Sequence, residues 1–331
     1  MKVPNTIAYL GPEGTYSLVA AIKHFGKSSE LQSCSTIEDV FALVGSEQAR
    51  YGIVPIENST EGTVNNAQDC LLENKVLISG EVIVAIEHHL LVAKSAETDE
   101  LKTIASHKQS LAQCRTWLSK NYPNVELVEC SSNAEAARMA ATGAGTAAIA
   151  GELAATLYNL LPASKGIQDQ KHNSTRFLVL SQENTNPCGR DKTSIIAYAE
   201  NKPGALFRIL EPFENLKISL TKIETRPAKI EAWEYVFFID FEGHKSDKVV
   251  QKLFARLNDT VLPSPVKLSV VKSLPRSFNP ATVSLPSALS PLSNACALVP
   301  SCPRTTVRLL LLIAVHFITS TLELSDVASV T

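Results

Sequence analysis

The sequence predicts an α/β protein with two lobes, followed by a smaller ferredoxin-like unit. Short apolar strands alternate with amphipathic helices from residue 6 to residue 180, a pattern typical of parallel sheets whose ligands bind beyond the carboxyl ends of the strands. A long apolar stretch over 76–93 predicts a crossing from one lobe to the other, with a cleft between them. After a polar segment the order becomes β-α-β-β-α-β, which is ferredoxin-like.

The elements of the two lobes follow from hydrophobic period and from helix-start signals. The first strand is "TIAYL" (6–10), and a helix follows over about Ser17–Phe25. The next helix begins at a capping box, Ser35-x-x-Glu38. The remaining strands are predicted at "YGIVPI" (51–56), "TIASH" (103–107), "VELVECSS" (125–132), "AAIAG" (147–151) and "TRFLVL" (175–180). The remaining helices are predicted at "VNNAQDCLL" (64–72), "SLAQCRTWLSKNY" (110–122), "NAEAARMAATG" (133–143) and "ELAATLYNL" (152–160).

The second unit is compact and has a different pattern. Its strands are predicted at "TSIIAYAE" (193–200), "ISLTKIETRPA" (218–228), "WEYVFFIDFEG" (233–243) and "VKLSVVKSL" (266–274), with helices from Pro203 and over 247–259. The predicted boundaries are 5–182 for the two-lobed domain, 183–192 for a linker, 193–275 for the second unit and 276–331 for a tail. The tail is rich in Ser, Pro, Leu and Ala, and we expect it to be disordered.

Composition and charge exclude several classes of protein. A net charge of -2 provides no basic surface for a nucleic acid. The N-terminus lacks the apolar middle of a signal peptide, and the short apolar run near His316 is below the roughly 20 residues that span a bilayer. The cysteines are scattered without close pairing, which predicts reduced thiols, a cytoplasmic location, and neither a disulfide framework nor a zinc site.

Polar clusters interrupt the two-lobed region, mostly where a predicted strand ends. They are "GPEGTYS" (11–17), "PIENSTEG" (55–62), "IEHHLL" (86–91), "SHKQSLAQC" (106–114) and "NSTRF" (173–177). Helix-start N–H groups after the first cluster would suit a carboxylate, although an ordinary N-cap explains the same residues. The second cluster is either a ligand site or an Asx-type turn.

The next two clusters also leave alternatives open. His88 or His89 can reach the cleft, but not both, because adjacent strand residues face opposite sides; a core histidine is the other explanation. Gln109 and Gln113 share one helix face and can point at one ligand. Ser106 beside His107 is no hydrolase pair, because neighbours rarely make the required hydrogen bond and no "GxSxG" turn is present.

The last cluster places Thr175 and Arg176 at the entrance of a strand. Thr175 offers a hydroxyl from a restricted β-branched rotamer. The planar guanidinium of Arg176 matches a carboxylate, either of a ligand or of a nearby Asp or Glu.

Taken in order, the five clusters resemble the prephenate dehydratase family over residues 6–180. The second unit resembles the ACT regulatory domain, through "NKPGALF" (201–207) and "IETRP" (223–227). The two matches together cover about 270 residues. The resemblance implies a catalytic domain with two lobes like those of a periplasmic binding protein. It also implies conversion of prephenate to phenylpyruvate, water and carbon dioxide, a lyase reaction of phenylalanine biosynthesis that needs no metal and no cofactor.

The resemblance also implies roles for individual residues. Thr175 would be the proton donor, and Glu57 would orient the surrounding network. The other catalytic residues carried over are Asn58, Ser106 and Gln113. The residues carried over for substrate binding are Thr15, Ser17, Ser59, His88, Gln109, Asn173, Arg176 and Phe177, among which Thr15 and Arg176 would hold carboxylates.

In this family the ACT unit binds L-phenylalanine as a feedback inhibitor. The candidate effector residues are Asn201, Gly204, Ala205, Leu206, Glu224, Thr225 and Arg226. ACT sheets commonly pair between chains, so the resemblance implies a homodimer or homotetramer.

Two departures from the family pattern stand out. Lys108 replaces a usual proline, and Thr225 replaces a usual serine but keeps the hydroxyl. Met1 lies almost on the first strand, so we expect a monofunctional protein of the bacterial type, without a preceding chorismate mutase. Arogenate dehydratase, whose substrate has an amino group on the side chain, and a non-catalytic amino-acid or solute-binding sensor are the competing interpretations.

Overall fold

The computed structural model describes residues 5–94, 101–199, 202–228 and 235–260. The predicted strand at 266–274, the tail from 276 and Asn201 lie outside these residues. Among the helices described, none combines the length and apolar character needed to cross a membrane.

The strands and helices are numbered in chain order. The strands are β1 (Thr6–Leu10), β2 (Glu30–Cys34), β3 (Tyr51–Asn58), β4 (Gly62–Thr63), β5 (Leu77–Ala85), β6 (His89–Ala93), β7 (Thr103–His107), β8 (Glu126–Cys130), β9 (Thr146–Ala150), β10 (Leu160–Ser164), β11 (Ser174–Ser181), β12 (Lys192–Ala199), β13 (Leu220–Pro227) and β14 (Tyr235–Glu242). The helices are α1 (Tyr16–Phe25), α2 (Ile37–Gly45), α3 (Asn65–Glu73), α4 (Lys108–Gln113), α5 (Arg115–Asn121), α6 (Asn133–Thr142), α7 (Glu152–Leu157), α8 (Ala205–Leu216) and α9 (Lys248–Thr260).

The first lobe is built on a sheet of order β2-β1-β3-β11-β5, with β4 paired to β3. The second lobe has the order β10-β6-β9-β7-β8. The chain crosses between the lobes twice, after β5 and again before β11. Both sheets are mixed rather than parallel throughout, because β11 returns antiparallel to β3 and β5, and β6 enters antiparallel to β9.

Local sequence explains several element ends that differ from prediction. The capping box of α2 is formed by Thr36 and Asp39, one residue after the predicted pair. Asn159 has a left-handed backbone (φ 55°), which ends the predicted helix early and turns the chain into β10. The predicted helix over 110–122 is two helices, and the carboxylate of Asp169 accepts the first N–H groups of α5.

The core of the first lobe lies on both faces of its sheet. Tyr9, Ile53 and Phe177 are buried under α1. On the opposite face α2 lies so close to β3 that only glycine fits at position 52: a Cβ there would stand 2.8 Å from Val40 Cγ1 and 2.9 Å from Val44 Cγ2.

The second unit has the strand order β12-β14-β13 with two helices on one face. Side chains alternate across its sheet. Ile195, Phe237 and Ile239 pack against α8 and α9, whereas Phe238 joins the apolar core beneath the first lobe. The described part of the unit, β-α-β-β-α, agrees with the predicted ferredoxin-like order.

Candidate active site

The polar clusters meet where the chain crosses between the lobes. The two crossing segments bond to each other, since Ile86 N–H donates to Asn173 O (2.9 Å) and Ile167 N–H donates to His88 O (2.8 Å). β3 ends beside them at Asn58, and α4 ends at Gln113. One hydrogen-bonded network therefore joins side chains from both lobes.

The direction of every bond in this network follows from Asn58. Its Oδ1 accepts from the backbone N–H groups of Thr60 (2.9 Å) and Glu61 (3.0 Å), and these groups can only donate. Its Nδ2 must then be the donor to Asn173 Oδ1 and to Thr175 Oγ1, both at 2.9 Å. The Asx-type turn offered as an alternative by the sequence is present, and it orients the amide of Asn58.

The same reasoning extends to Gln113 and His88. Asn173 Nδ2 donates to Gln113 Oε1 at 3.0 Å, so this atom is an acceptor. His88 Nε2 lies 2.8 Å from the same oxygen and therefore carries the imidazole hydrogen. Burial lowers the pKa of His88, which is 1% exposed, and the ring is accordingly neutral with a free lone pair on Nδ1.

Thr175 occupies the end of this chain of bonds. Its Oγ1 accepts from Asn58, and no described residue accepts a hydrogen bond from its hydroxyl. Thr175 is 8% exposed, so its hydroxyl is held in a largely dry site. A donor bond to the oxygen of an alcohol stabilises negative charge on that oxygen, so the arrangement favours donation of the free hydrogen to a ligand.

Thr60 and Glu61 complete the connection between the lobes. The sequence predicted Thr60 only as part of the cluster that is either a ligand site or an Asx-type turn, and it gave Glu61 no individual role. Gln113 Nε2 of the second lobe donates to Thr60 Oγ1 (3.1 Å) and to Glu61 Oε1 (3.3 Å) of the first. Thr60 Oγ1 also donates to Asn58 Oδ1 at 2.6 Å. Their position two and three residues after Asn58, where an Asx turn folds back, was the available signal.

Glu57 and Arg176 lie on the other side of the sheet from Thr175. The register pairs Thr175 with Asn58 and Arg176 with Glu57, and successive strand residues face opposite sides. Arg176 Nη2 bonds Glu57 Oε2 at 2.9 Å. This position of Arg176 matches the alternative in which its guanidinium pairs with a carboxylate of the protein. Neither Glu57 nor Arg176 belongs to the hydrogen-bonded network of Asn58 and Thr175.

Three other residues predicted for the site are packed in the core or bond to a backbone oxygen of the protein itself. Ser106 is fully buried, and its hydroxyl lies 2.6 Å from Ile149 O. Phe177 is core, at 2% exposure. Thr15 Oγ1 donates to Leu10 O at 3.0 Å.

The other three predicted substrate residues lie at the edge of the site or apart from it. Ser59 Oγ accepts from Ser174 N–H at 2.9 Å and so holds the start of β11 beside the network. Ser17 is buried in the first turn of α1. Gln109 is exposed at the start of α4, and only its backbone N–H makes a described bond, to His107.

The candidate effector residues divide between two faces of the second unit. Gly204 has a left-handed backbone (φ 78°) before Ala205 and the half-exposed Leu206. Glu224 bonds Thr63 Oγ1 at 2.5 Å, and Arg226 pairs with a carboxylate of α3. Within one chain Glu224 and Arg226 therefore face the first lobe, whereas Thr225 is exposed on the opposite side.

The cysteine beside the network is no nucleophile. Burial raises the pKa of Cys114 to about 12, so its thiol is protonated at neutral pH. The cysteines that the structure describes are all free.

Fold and site together define a two-lobed α/β protein with a polar hydrogen-bonded network where the lobes meet, to which a small ferredoxin-like unit is attached. The prephenate dehydratase family profile matches residues 7–185, and the ACT domain profile matches residues 193–259. The chain belongs to the prephenate dehydratase family, as its sequence motifs predicted.

Relatives and solved structures agree with this assignment. The bifunctional chorismate mutase/prephenate dehydratase of Pseudomonas aeruginosa is 46% identical over 276 residues, which cover 83% of this chain and 74% of that protein. The prephenate dehydratase of Methanocaldococcus jannaschii is 36% identical over 248 residues, covering 73% and 89%. The crystal structure of prephenate dehydratase from Arthrobacter aurescens in complex with L-Phe superposes with a TM-score of 0.76 at 27% identity, covering 96% of this chain and 99% of that one.

Proposed function

We propose that this protein is a prephenate dehydratase that is inhibited by L-phenylalanine. The observation that carries the proposal is the Thr175 hydroxyl, whose oxygen accepts from Asn58 and whose hydrogen is free within the interlobe network. Membership of the family and the relatives' names support the same activity.

The reaction removes one carboxylate and one hydroxyl from the ring of prephenate. The electron pair of the carbon–carboxylate bond moves into the ring as carbon dioxide leaves, and the carbon–oxygen bond on the opposite side breaks. The departing hydroxide takes up one proton and becomes water, which leaves phenylpyruvate. A positioned donor for that oxygen contributes typically about 10²–10⁴-fold, and we assign this role to Thr175.

Thr175 is a weak acid, so its surroundings must stabilise charge on its oxygen. The bond from Asn58 Nδ2 does so directly. Asn173, Gln113 and His88 fix the amide orientations in turn, and neutral His88 keeps a positive charge out of this chain of bonds. Their role is positioning, and it requires no change of protonation.

A carboxylate of the substrate is best placed at the start of α1. Thr15 is the N-cap but makes no side-chain cap bond, and the first turn contains no acidic residue. The N–H groups there and the helix dipole favour an anion. Tyr16 OH donates to Glu87 O at 2.5 Å in the first crossing segment, so this helix start lies beside the segment that carries His88.

Arg176 and Glu57 are left out of the substrate contacts, because they pair with each other on the side of the sheet opposite to Thr175.

We further propose that L-phenylalanine is held near the turn at Gly204 and that chains associate through their ACT sheets as a dimer or tetramer. We also propose that the protein acts in the cytoplasm, in agreement with its free cysteines.

The test is an assay of the purified full-length chain with prephenate and, separately, with arogenate. We expect phenylpyruvate from prephenate, a higher kcat/KM for prephenate than for arogenate, and inhibition by added L-phenylalanine. A preference for arogenate would assign the chain to the other dehydratase activity. Binding of either compound without turnover would favour a sensor and contradict the proposal.

A further inference from the structure

A group of ion pairs, most of them largely buried, connects the second unit to the first lobe. The apolar part of this contact contains Phe238 and Val236 of the second unit with Leu178 and Ile56 of the first lobe. Six charged side chains lie beside it and are called here the interdomain ion cluster: Glu57, Glu81, Arg176, Lys192, Lys222 and Asp240.

Arg176 is the centre of the cluster. Its Nη1 lies 2.8 Å from Asp240 Oδ2 and 3.4 Å from Glu81 Oε2, and its Nη2 lies 2.9 Å from Glu57 Oε2. Burial by itself would lower the pKa of Arg176, but the carboxylates of Asp240, Glu81 and Glu57 raise it, so the guanidinium stays charged. The side chains of Arg176 and Asp240 are only 13% and 11% exposed, so solvent screens their attraction weakly.

Two lysines of the second unit pair with carboxylates of the cluster, and Lys222 also pairs with Glu224 at 3.0 Å. Lys192 Nζ lies 3.0 Å from Glu81 Oε2, and Lys222 Nζ lies 3.5 Å from Glu57 Oε2. Asp240 is paired with Lys222 across the β13–β14 ladder. Each of the three strands of the second unit therefore contributes one charge to the cluster.

The cluster and the active site use the same two strands. Arg176 and Glu57 face each other in the register, and the next pair is Thr175 with Asn58. A shift of the Arg176 side chain that moves the β11 backbone must therefore move Thr175. The bond from Asn58 to Thr175 is 2.9 Å long, and hydrogen bonds are lost beyond about 3.5 Å, so a displacement of about 0.6 Å is enough to break it.

The cluster is a connection rather than a ligand site. The cavity beside Arg176, Lys222 and Asp240 has a volume of about 30 Å³. This is room for about two water molecules, not for an amino acid.

We propose that Arg176 is a positioning residue through which the second unit controls the geometry of Thr175 and Asn58. Asp240 on β14 holds Arg176 in the state that favours catalysis. An effector that moves β14 changes this ion pair and, through one residue of β11, the hydrogen bond at the active site. The inference rests on the proposed function and specifies how its regulation reaches the site.

The test compares Asp240→Asn with wild type in the full-length protein. The amide keeps the shape of the side chain but loses its charge. The measured quantity is the ratio of kcat without L-phenylalanine to kcat at a concentration of L-phenylalanine that calorimetry shows to be saturating for each variant. We expect L-phenylalanine still to bind Asp240→Asn, while this ratio falls toward one; Asp240→Glu, which restores the charge, should recover much of the wild-type ratio.

Asp69→Asn is the matched control. Asp69 of α3 pairs with Arg226 of β13 at 2.9 Å, so this variant also removes one carboxylate from a pair between the two units, but neither partner of that pair belongs to β11 or β3. It should keep the wild-type ratio. Unchanged inhibition in Asp240→Asn, or equal loss in both variants, would overturn the proposal.

Hydrogen exchange separates this inference from the proposed function. Amides of 174–181 should exchange about threefold faster or more in Asp240→Asn than in wild type or Asp69→Asn, whether or not prephenate is a substrate. Absence of turnover in the wild-type protein would contradict the proposed function alone. Unchanged exchange in Asp240→Asn would contradict the coupling alone.

Discussion

Replacing Asn58 by aspartate tests the direction of the hydrogen bond to Thr175. In the structure Asn58 Nδ2 donates to Thr175 Oγ1, and the hydrogen of Thr175 remains available for the substrate. The carboxylate of Asn58→Asp has no hydrogen to donate at neutral pH, so the Thr175 hydroxyl would turn and donate to it. The second oxygen can still accept from the N–H groups of Thr60 and Glu61, and the turn should persist.

The size of the effect follows from the strength of the new bond. A hydrogen bond to a charged acceptor is worth about 1.5–3 kcal/mol, and this must be given up before Thr175 can donate to the substrate. At about 1.36 kcal/mol per tenfold, that term alone lowers kcat about 10- to 160-fold. The lost donation from Asn58 adds to it, so we expect kcat to fall about 10²-fold or more while KM changes little.

The assay is phenylpyruvate formation by Asn58→Asp, Thr175→Val and the double variant, each checked by its melting temperature. Because both single changes remove the same donated hydrogen, the double variant should be no slower than Thr175→Val. The reasoning about bond direction would be refuted if Asn58→Asp kept more than about a tenth of the wild-type kcat, or if the two losses multiplied.

Three further predictions concern the network and the core. Thr60→Val removes the hydroxyl between Asn58 and Gln113, so kcat should fall about five- to tenfold; an unchanged kcat would mean that the interlobe bridge is not needed. Because burial lowers the pKa of His88, the unfolded chain binds a proton below about pH 6.5 that the folded chain excludes. The unfolding free energy, measured by denaturant titration, should therefore fall as the pH is lowered from 7 to 5, and it should fall less steeply in His88→Gln. An equal dependence of the unfolding free energy on pH in the two proteins would contradict this. Gly52→Ala places a Cβ 2.8 Å from Val40 and should lower the unfolding free energy by about 1–3 kcal/mol; a melting temperature equal to wild type would show that α2 moves away freely.

Much of the fold could be predicted because its signals are local. Alternating apolar segments, the long stretch over 76–93 and the order of elements after residue 192 led to two lobes and a ferredoxin-like unit. β10 was missed because its sequence continues a helical pattern, and only the left-handed backbone at Asn159 separates the two elements. The antiparallel return of β11 depends on a crossing that leaves no local signal.

The site was predictable in part. The motif order brought Asn58, Gln113, Asn173 and Thr175 to one cleft, and the structure joins them. The sequence predicts Arg176 as a substrate residue, whereas in the structure Arg176 pairs with Glu57 on the side of the sheet opposite to Thr175. The partner that holds it, Asp240, is 64 residues further along the chain, so the sequence around the motif does not reveal the pair.

The central claim is that the hydroxyl hydrogen of Thr175 drives departure of the substrate hydroxyl. The most direct measurement compares kcat for prephenate in Thr175→Ser and Thr175→Val. Serine keeps the hydroxyl and gains about 0.5–1 kcal/mol of rotamer freedom, so its kcat should lie within about tenfold of wild type. Valine keeps the shape without the hydroxyl and should lose about 10²-fold or more. Equal activity in the two variants would contradict the account.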